Sequence, residues 1–271
     1  MKKASLGFAA ALLLVASTAN AQQSATPAPS RPAIDPKAMQ ILHTVCDTLS
    51  KAQTMSFTAV DTYERAARNG QPLYYSNKSQ VMLQRPDKLR VIKLADGVPD
   101  EFYYDGKTMM AYMPSSNLVA TSNAPATVDA MLDAAWDVGG IYFPFADVVV
   151  AQPCAVLDKN VTSAFYVGQS KVVGDTTTDM VAIAGEGLQA ELWIGASDHL
   201  PRMIRVVYPG EPAQARYQTD YSDWKLGAPI DAAAFKSEKA AGAAHIAFQP
   251  PPLSPPPGAP ASGQQTPTKQ P

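Results

Sequence analysis

From residue 36 the apolar positions fall at Met39, Leu42, Val45, Cys46 and Leu49, with Lys37, Gln40, His43, Asp47 and Ser50 between them. That spacing lays one apolar stripe along an α-helix. Asp35-Pro36 supplies an N-cap and the residue favoured at the first helical position, so an amphipathic helix is predicted over Pro36–Lys51. After it the period changes to two. Strands are predicted at 55–64, 73–84, 88–94, 101–104, 108–112 and 118–121. The junction Tyr104-Asp105-Gly106-Lys107 reads as a two-residue Asp-Gly hairpin of type I′, with Phe102 opposite Met109 and Tyr103 opposite Thr108. Arg85-Pro86-Asp87 and Ala95-Asp96-Gly97 mark further turns, and strands at this spacing favour an antiparallel meander.

The middle of the chain interrupts the sheet. Val128, Met131, Leu132, Ala135, Trp136 and Val138 recur with helical spacing over 127–138, and Gly139-Gly140 stops the run. Ile141 to Phe145 and Val148 to Val150 are strongly apolar, with a second short helix expected near Pro144. Strand periodicity returns at 164–173, 179–184, 188–194, 202–208, 215–224 and 243–248. In 188–194, Leu188, Ala190, Leu192 and Ile194 share one face, which leaves Trp193 on the face of Gln189 and Glu191. The architecture is one helix, about six strands, a helical insertion at 125–150 and about six more strands. This is a mainly β protein with helices (α+β), an open, incomplete antiparallel β-barrel of about 11–12 strands covered by helices. From periodicity alone, a filled core between sheet and helices is favoured over a concave pocket under a movable lid.

Both ends of the chain are of different composition. Lys2 and Lys3, the apolar run at 4–17 and Ala19-Asn20-Ala21 follow the three regions of a secretory signal peptide, with cleavage expected after Ala21 and a periplasmic destination. The apolar run is shorter than a membrane span and is broken by Ser17 and Thr18. Residues 22–33 read as a disordered linker, 34–248 as the folded body, and 249–271 as a disordered proline-rich tail, since such compositions cannot bury enough surface to order themselves. Cleavage leaves 20 basic against 24 acidic side chains, a charge of −4 with no Lys/Arg cluster, which argues against nucleic acid as a partner. Cys46 and Cys154 fit no zinc or redox spacing; either they pair or they are two buried thiols, with pairing the favoured of the two.

Candidate chemistry is sparse. The chain has no Gly-x-Ser-x-Gly elbow, Walker loop, dinucleotide fingerprint or His-Glu-x-x-His helix. His43, His199 and His245 are far apart in sequence and read as surface histidines, and Asp61 with Glu64, or Asp100-Glu101, as solvated strand faces and turn caps. No catalytic, metal or cofactor site is expected.

The second half reads Trp193-Ile194, Leu200-Pro201-Arg202, Val207-Tyr208, Asp223-Trp224, Phe235, Gly242-Ala243 and Ile246-Ala247-Phe248. Earlier come Arg85-Pro86-Asp87-Lys88-Leu89, Phe102-Tyr103-Tyr104-Asp105-Gly106-Lys107, Asp129-Ala130-Met131-Leu132 and Phe143-Pro144-Phe145-Ala146-Asp147. Together these resemble a family of predicted periplasmic proteins known as a domain of unknown function. That family in turn resembles the lipoprotein-carrier superfamily of LolA, LolB and the RseB-type envelope-stress sensors. The resemblance covers 35–248, and 236–240, where an apolar-then-proline run is usual, departs from it most. It implies an unclosed barrel whose hollow, covered by helices, binds acyl chains or other apolar ligands without catalysis. The expected partner is an apolar ligand or a lipoprotein acyl chain; the alternative is an envelope sensor that recognises a partner polypeptide. The candidate pocket residues are Phe57, Met131, Trp136, Phe143, Phe145 and Trp193.

Overall fold

The computed structural model describes residues 33–95, 100–185, 187–210 and 214–250. The predicted signal peptide, most of the linker, the turn at Asp96-Gly97 and the tail beyond Pro250 lie outside them. Helix α1 spans Pro36–Lys51; Asp35 caps it by accepting a hydrogen bond from the Lys37 N–H at 2.9 Å. Its buried stripe is Ala38, Leu42, Val45 and Leu49, and it packs against the strands β7 (Val161–Ser170) and β8 (Thr178–Gly185). The second Asp35 oxygen accepts from the Tyr166 N–H, and these backbone donors hold its carboxyl below the usual range. Ala33 and Ile34 already lie along β7, Ala33 O accepting from Ala164 N, so the pairing starts before the predicted end of the linker.

Six strands follow: β1 (Thr54–Ala66), β2 (Pro72–Gln84), β3 (Lys88–Ala95), β4 (Asp100–Tyr104), β5 (Thr108–Met113) and β6 (Leu118–Asn123). After the insertion come β7, β8, β9 (Leu188–Gly195), β10 (Pro201–Val207), β11 (Arg216–Leu226) and β12 (Ala244–Ile246). They form one open, unclosed sheet in the order β12-β6-β5-β4-β3-β2-β1-β11-β10-β9-β8-β7. Two antiparallel meanders, β1 to β6 and β7 to β11, are joined at its centre by the antiparallel pair β1–β11, where Asp61 meets Thr219.

Two details differ from the sequence reading. The β4–β5 hairpin sets Tyr104 opposite Met109 and Phe102 opposite Ala111, two positions from the expected register, which leaves the faces unchanged. The reason is Asp105: its Oδ1 accepts from the N–H groups of Lys107 and Thr108, so it precedes the turn, and Gly106 (φ 94°) and Lys107 form it. The sheet is also mixed, because β12 pairs with β6 in parallel, Ala244 beside Leu118. Asn117 sets that alignment: its carbonyl accepts from Ala244 N and its side-chain amide donates to Gly242 O.

The insertion holds α2 (Val128–Gly139), α3 (Ala146–Val149) and α4 (Cys154–Asn160), the last unread from sequence. Thr127 caps α2 by accepting from Ala130 N, and Gly140 ends it at φ 64°. There Gly140 N donates to Trp136 O and Ile141 N to Ala135 O, closing the helix in the manner favoured by a left-handed glycine. Cys46 of α1 and Cys154 of α4 are disulfide-bonded, with Cα atoms 5.7 Å apart. His43 Nε2 lies 2.8 Å from Asp158 Oδ1 across the same two helices.

The core lies between the concave sheet face and these helices. Leu42 and Leu49 from α1, Met131 and Ala135 from α2, and Phe145, Val148 and Val149 around α3 meet Met55, Phe57, Val81, Leu83 and Leu89 of the sheet. Phe57 is an aromatic hub, with ring centroids 5.7 Å from Phe145, 5.9 Å from Tyr221 and 4.5 Å from Trp224.

Candidate functional site

Strand alternation explains why the core stops where it does. On the concave face β1 presents Met55, Phe57 and Ala59, all under the helices, and then Asp61, Tyr63 and Arg65. The register carries this change across the neighbouring strands. Asp61 lies between Thr219 of β11 and Asn77 of β2, and Ser79, beside Ala59, leads to Lys93 of β3 and Asp100 of β4. A polar band therefore crosses the middle of the concave face where an apolar core would otherwise continue.

Above that band the sheet and the insertion do not close. They leave a hollow of about 910 Å³, within the range of small-molecule sites. Its polar floor is flanked by Ile204 and Val206 of β10 on one side and by Phe102, Ala111 and Ala120 of β4 to β6 on the other. The roof is the segment from Gly139 to Phe145 with Asp147, and residues 246–250 run along its edge. A methyl group placed on Gly139 would come within 2.5 Å of Phe248 Cε1, so the C-terminal segment lies close on the end of α2 because that residue is glycine. Gln249 and Pro250, assigned to the tail from composition, line the hollow. The filled core favoured by periodicity is thus replaced by a core that is filled under the helices and open beyond them.

The acidic groups differ most from expectation. Asp61 is not solvated; only 4% of it is accessible. Its Oδ1 accepts the Thr219 hydroxyl at 2.8 Å, and no other described residue donates to the carboxylate. Burial pushes its carboxyl up to about 6, with the Thr219 hydrogen bond and the Lys93 charge pulling the other way and Asp220 adding to the rise. Asp147, on the roof, is exposed at the edge of the hollow, yet the protein around it raises its carboxyl. Tyr221 stands well above an ordinary phenol, first through burial and then through the charges of Asp61 and Asp147, and Tyr142, 57% exposed, is raised by the protein around it and by Asp147. Lys93 pairs with Asp100 at 3.2 Å. Arg65 donates to the Tyr217 hydroxyl at 3.1 Å. Glu101 is buried too, accepting from the Tyr103 hydroxyl at 2.6 Å, with Lys239 Nζ 3.8 Å away. Among the described residues, no group of three or more His, Cys, Asp or Glu is placed to hold a metal ion.

Of the six pocket residues named from sequence, Phe143 and Phe145 line the hollow, their rings 5.7 Å apart. Phe57 lies in the core behind Phe145, and Met131 is wholly buried in the same core. Trp136 is half-buried and reaches the site through Tyr142, whose ring centroid lies 6.2 Å away. Trp193 belongs to neither core nor hollow; it is buried on the other face of β9, in register with Met180 and Met203. Sequence reasoning missed Asp61, Thr219, Tyr221, Tyr142 and Asp147. The signal for Asp61 was its even spacing from Met55, Phe57 and Ala59, which puts it on their face.

The architecture is one open, unclosed sheet of twelve strands with a hollow roofed by the insertion. The chain belongs to the DUF2092 family of predicted periplasmic proteins, whose model matches residues 38–249. Among solved structures it is similar to MucB in the Pseudomonas aeruginosa MucA/MucB complex (15% identity, 78% of this chain and 64% of that one, TM-score 0.43). It is also similar to LprF from Mycobacterium bovis (16% identity, 74% and 97%, TM-score 0.45). A third is a LolA superfamily protein from Nitrosomonas europaea (14% identity, 72% and 97%, TM-score 0.33). The chain spans less than two thirds of the length of MucB. No curated protein matches it. Among the described residues, no helix is long and apolar enough to cross a membrane.

Proposed function

We propose that this protein is a non-catalytic periplasmic binding protein, exported by a signal peptide cleaved after Ala21, that takes the apolar part of a lipid, acyl chain or lipoprotein into the hollow. The observation that carries this reading is the hollow of about 910 Å³ with apolar walls from β4 to β6, β10, Phe143 and Phe145. Apolar surface removed from water there contributes about 25 cal/mol per Å². The roof is a loop and a strap rather than sheet, so entry needs only local displacement, with no break in the strand ladder of β1 to β11.

The test is lipid extraction of protein purified from the periplasm, alongside titration with acyl ligands read by tryptophan emission and melting temperature. A ligand held only by the folded state raises the melting temperature by mass action. Extracted lipid, or a saturable rise in melting temperature with a change in emission, supports the reading. The absence of both a lipid and a shift refutes it and leaves a partner polypeptide as the occupant of the fold's concave face.

A further inference from the structure

We propose that the hollow selects amphiphiles whose head is an amine, seated on Asp61 of the floor, with Asp147 adding a second negative charge to the same lining and the chain along the apolar walls. This rests on the binding reading above and names its ligand class. Three observations carry it. The Asp61 side chain is almost wholly enclosed yet lines the hollow, and Thr219 satisfies only one of its oxygens. Its other oxygen has no donor among the described residues and is open to the hollow, and a ligand N–H is the group that would complete the carboxylate there. Asp147 faces the same space from α3, and no described residue donates to it or pairs with it. Of the lining cations, Lys93 is paired with Asp100, while Arg65 donates to the neutral Tyr217 hydroxyl and is exposed, away from the enclosed Asp61. An anionic head seated at Asp61 would therefore meet a carboxylate and find the cation that acts on it, Lys93, already paired.

The groups acting on Asp61 are Thr219 and Asp220 from β11 and Lys93 from β3, and Tyr221 of β11 and Tyr142 of the roof each feel the charges of both Asp61 and Asp147. Lys93 is the one cation among them. The raised carboxyls of Asp61 and Asp147 mean that amine binding competes with protons, so it strengthens from pH 5 to pH 7.5.

The experiment compares decylamine, decanol and decanoate, which share one chain and differ in the head, by calorimetric titration of the mature protein at pH 5 and pH 7.5. At pH 7.5 the amine is expected to bind at least about tenfold more tightly than the alcohol, the low end for a hydrogen bond to a charged group. Decanoate is expected to bind most weakly of the three. In Asp61→Asn and in Asp147→Asn, each checked for cooperative unfolding, the amine-to-alcohol ratio should fall towards one and lose its pH dependence. Decanoate binding as tightly as decylamine overturns the proposal, as does a ratio unchanged in both variants. Decanol bound without preference for the amine refutes the head assignment and leaves the apolar pocket standing. No binding of any of the three refutes both readings.

Discussion

Asp61→Asn is expected to make the protein more stable, and only at neutral and alkaline pH. The wild-type carboxyl titrates near 6 in the folded protein against 3.8 for a free side chain. The folded state therefore holds its proton more tightly than the unfolded chain does. Below about pH 4 both states are protonated and the charge costs nothing; above about pH 6 both are ionised and the full penalty of burying it is present. The difference between the two values, at about 1.4 kcal/mol per unit, is about 3 kcal/mol. Asparagine keeps the shape, and its amide oxygen can still accept the Thr219 hydroxyl. For a body of this size that gain corresponds to a rise in melting temperature of roughly 6–12 °C at pH 8. Urea unfolding of both proteins at pH 4, 6 and 8 measures it. Asp147 titrates in both and largely cancels in the difference. An equal gain at pH 4 and pH 8, or a loss at pH 8, would refute the assignment of a buried, ionisable Asp61.

Other expectations follow from separate parts of the molecule. Reduction of Cys46–Cys154, which closes a loop of 108 residues, should lower stability by about 4–5 kcal/mol in the chain-entropy model, measured by denaturant unfolding with and without reductant. Phe145→Ala, at 1% exposure and in contact with Phe57 and Phe143, should cost about 3–5 kcal/mol by the same measurement, whereas a cost below about 1 kcal/mol would mean that the roof does not contribute to the core. Gly139→Ala should displace Phe248 at a cost of about 1–3 kcal/mol and speed ligand exchange in stopped-flow emission; unchanged exchange would show that the strap does not limit access. Intact mass of periplasmic protein should place the mature N-terminus at Gln22, and a species retaining Lys2 and Lys3 would reverse the export argument.

Elements whose local signals agree were readable in advance. In α1 the cap, the proline and the apolar stripe all point to one helix, and its bounds match Pro36–Lys51. The β4–β5 hairpin was found but misregistered, because Asp105 serves as a side-chain acceptor before the turn and periodicity carries no information on that choice. The parallel placement of β12 depends on Asn117, some 125 positions from Gly242, and no local pattern encodes it. Trp193 shows the limit of alternation: its polar neighbours Gln189 and Glu191 are exposed, yet Met180 and Met203 on adjacent strands enclose it. The site was less legible than the fold. Phe143 and Phe145 were named for their apolar character, but the floor was missed because single carboxylates were judged by residue type. Asp61 departs from that average through its phase on β1 and its partner Thr219, which is 158 positions away.

The β1–β11 seam has a consequence for how the chain acquires its fold. The central strand of the sheet is the first to be made, and one of its two neighbours is almost the last. Each meander can zip through short hairpins, but the seam must close a loop of about 150 residues, and such distant pairings slow folding. Thr219 arrives with that pairing, so Asp61 stays hydrated until late. On the proposed route of export, a chain threading through a channel from its N-terminus is thereby kept from completing its centre before most of it has crossed.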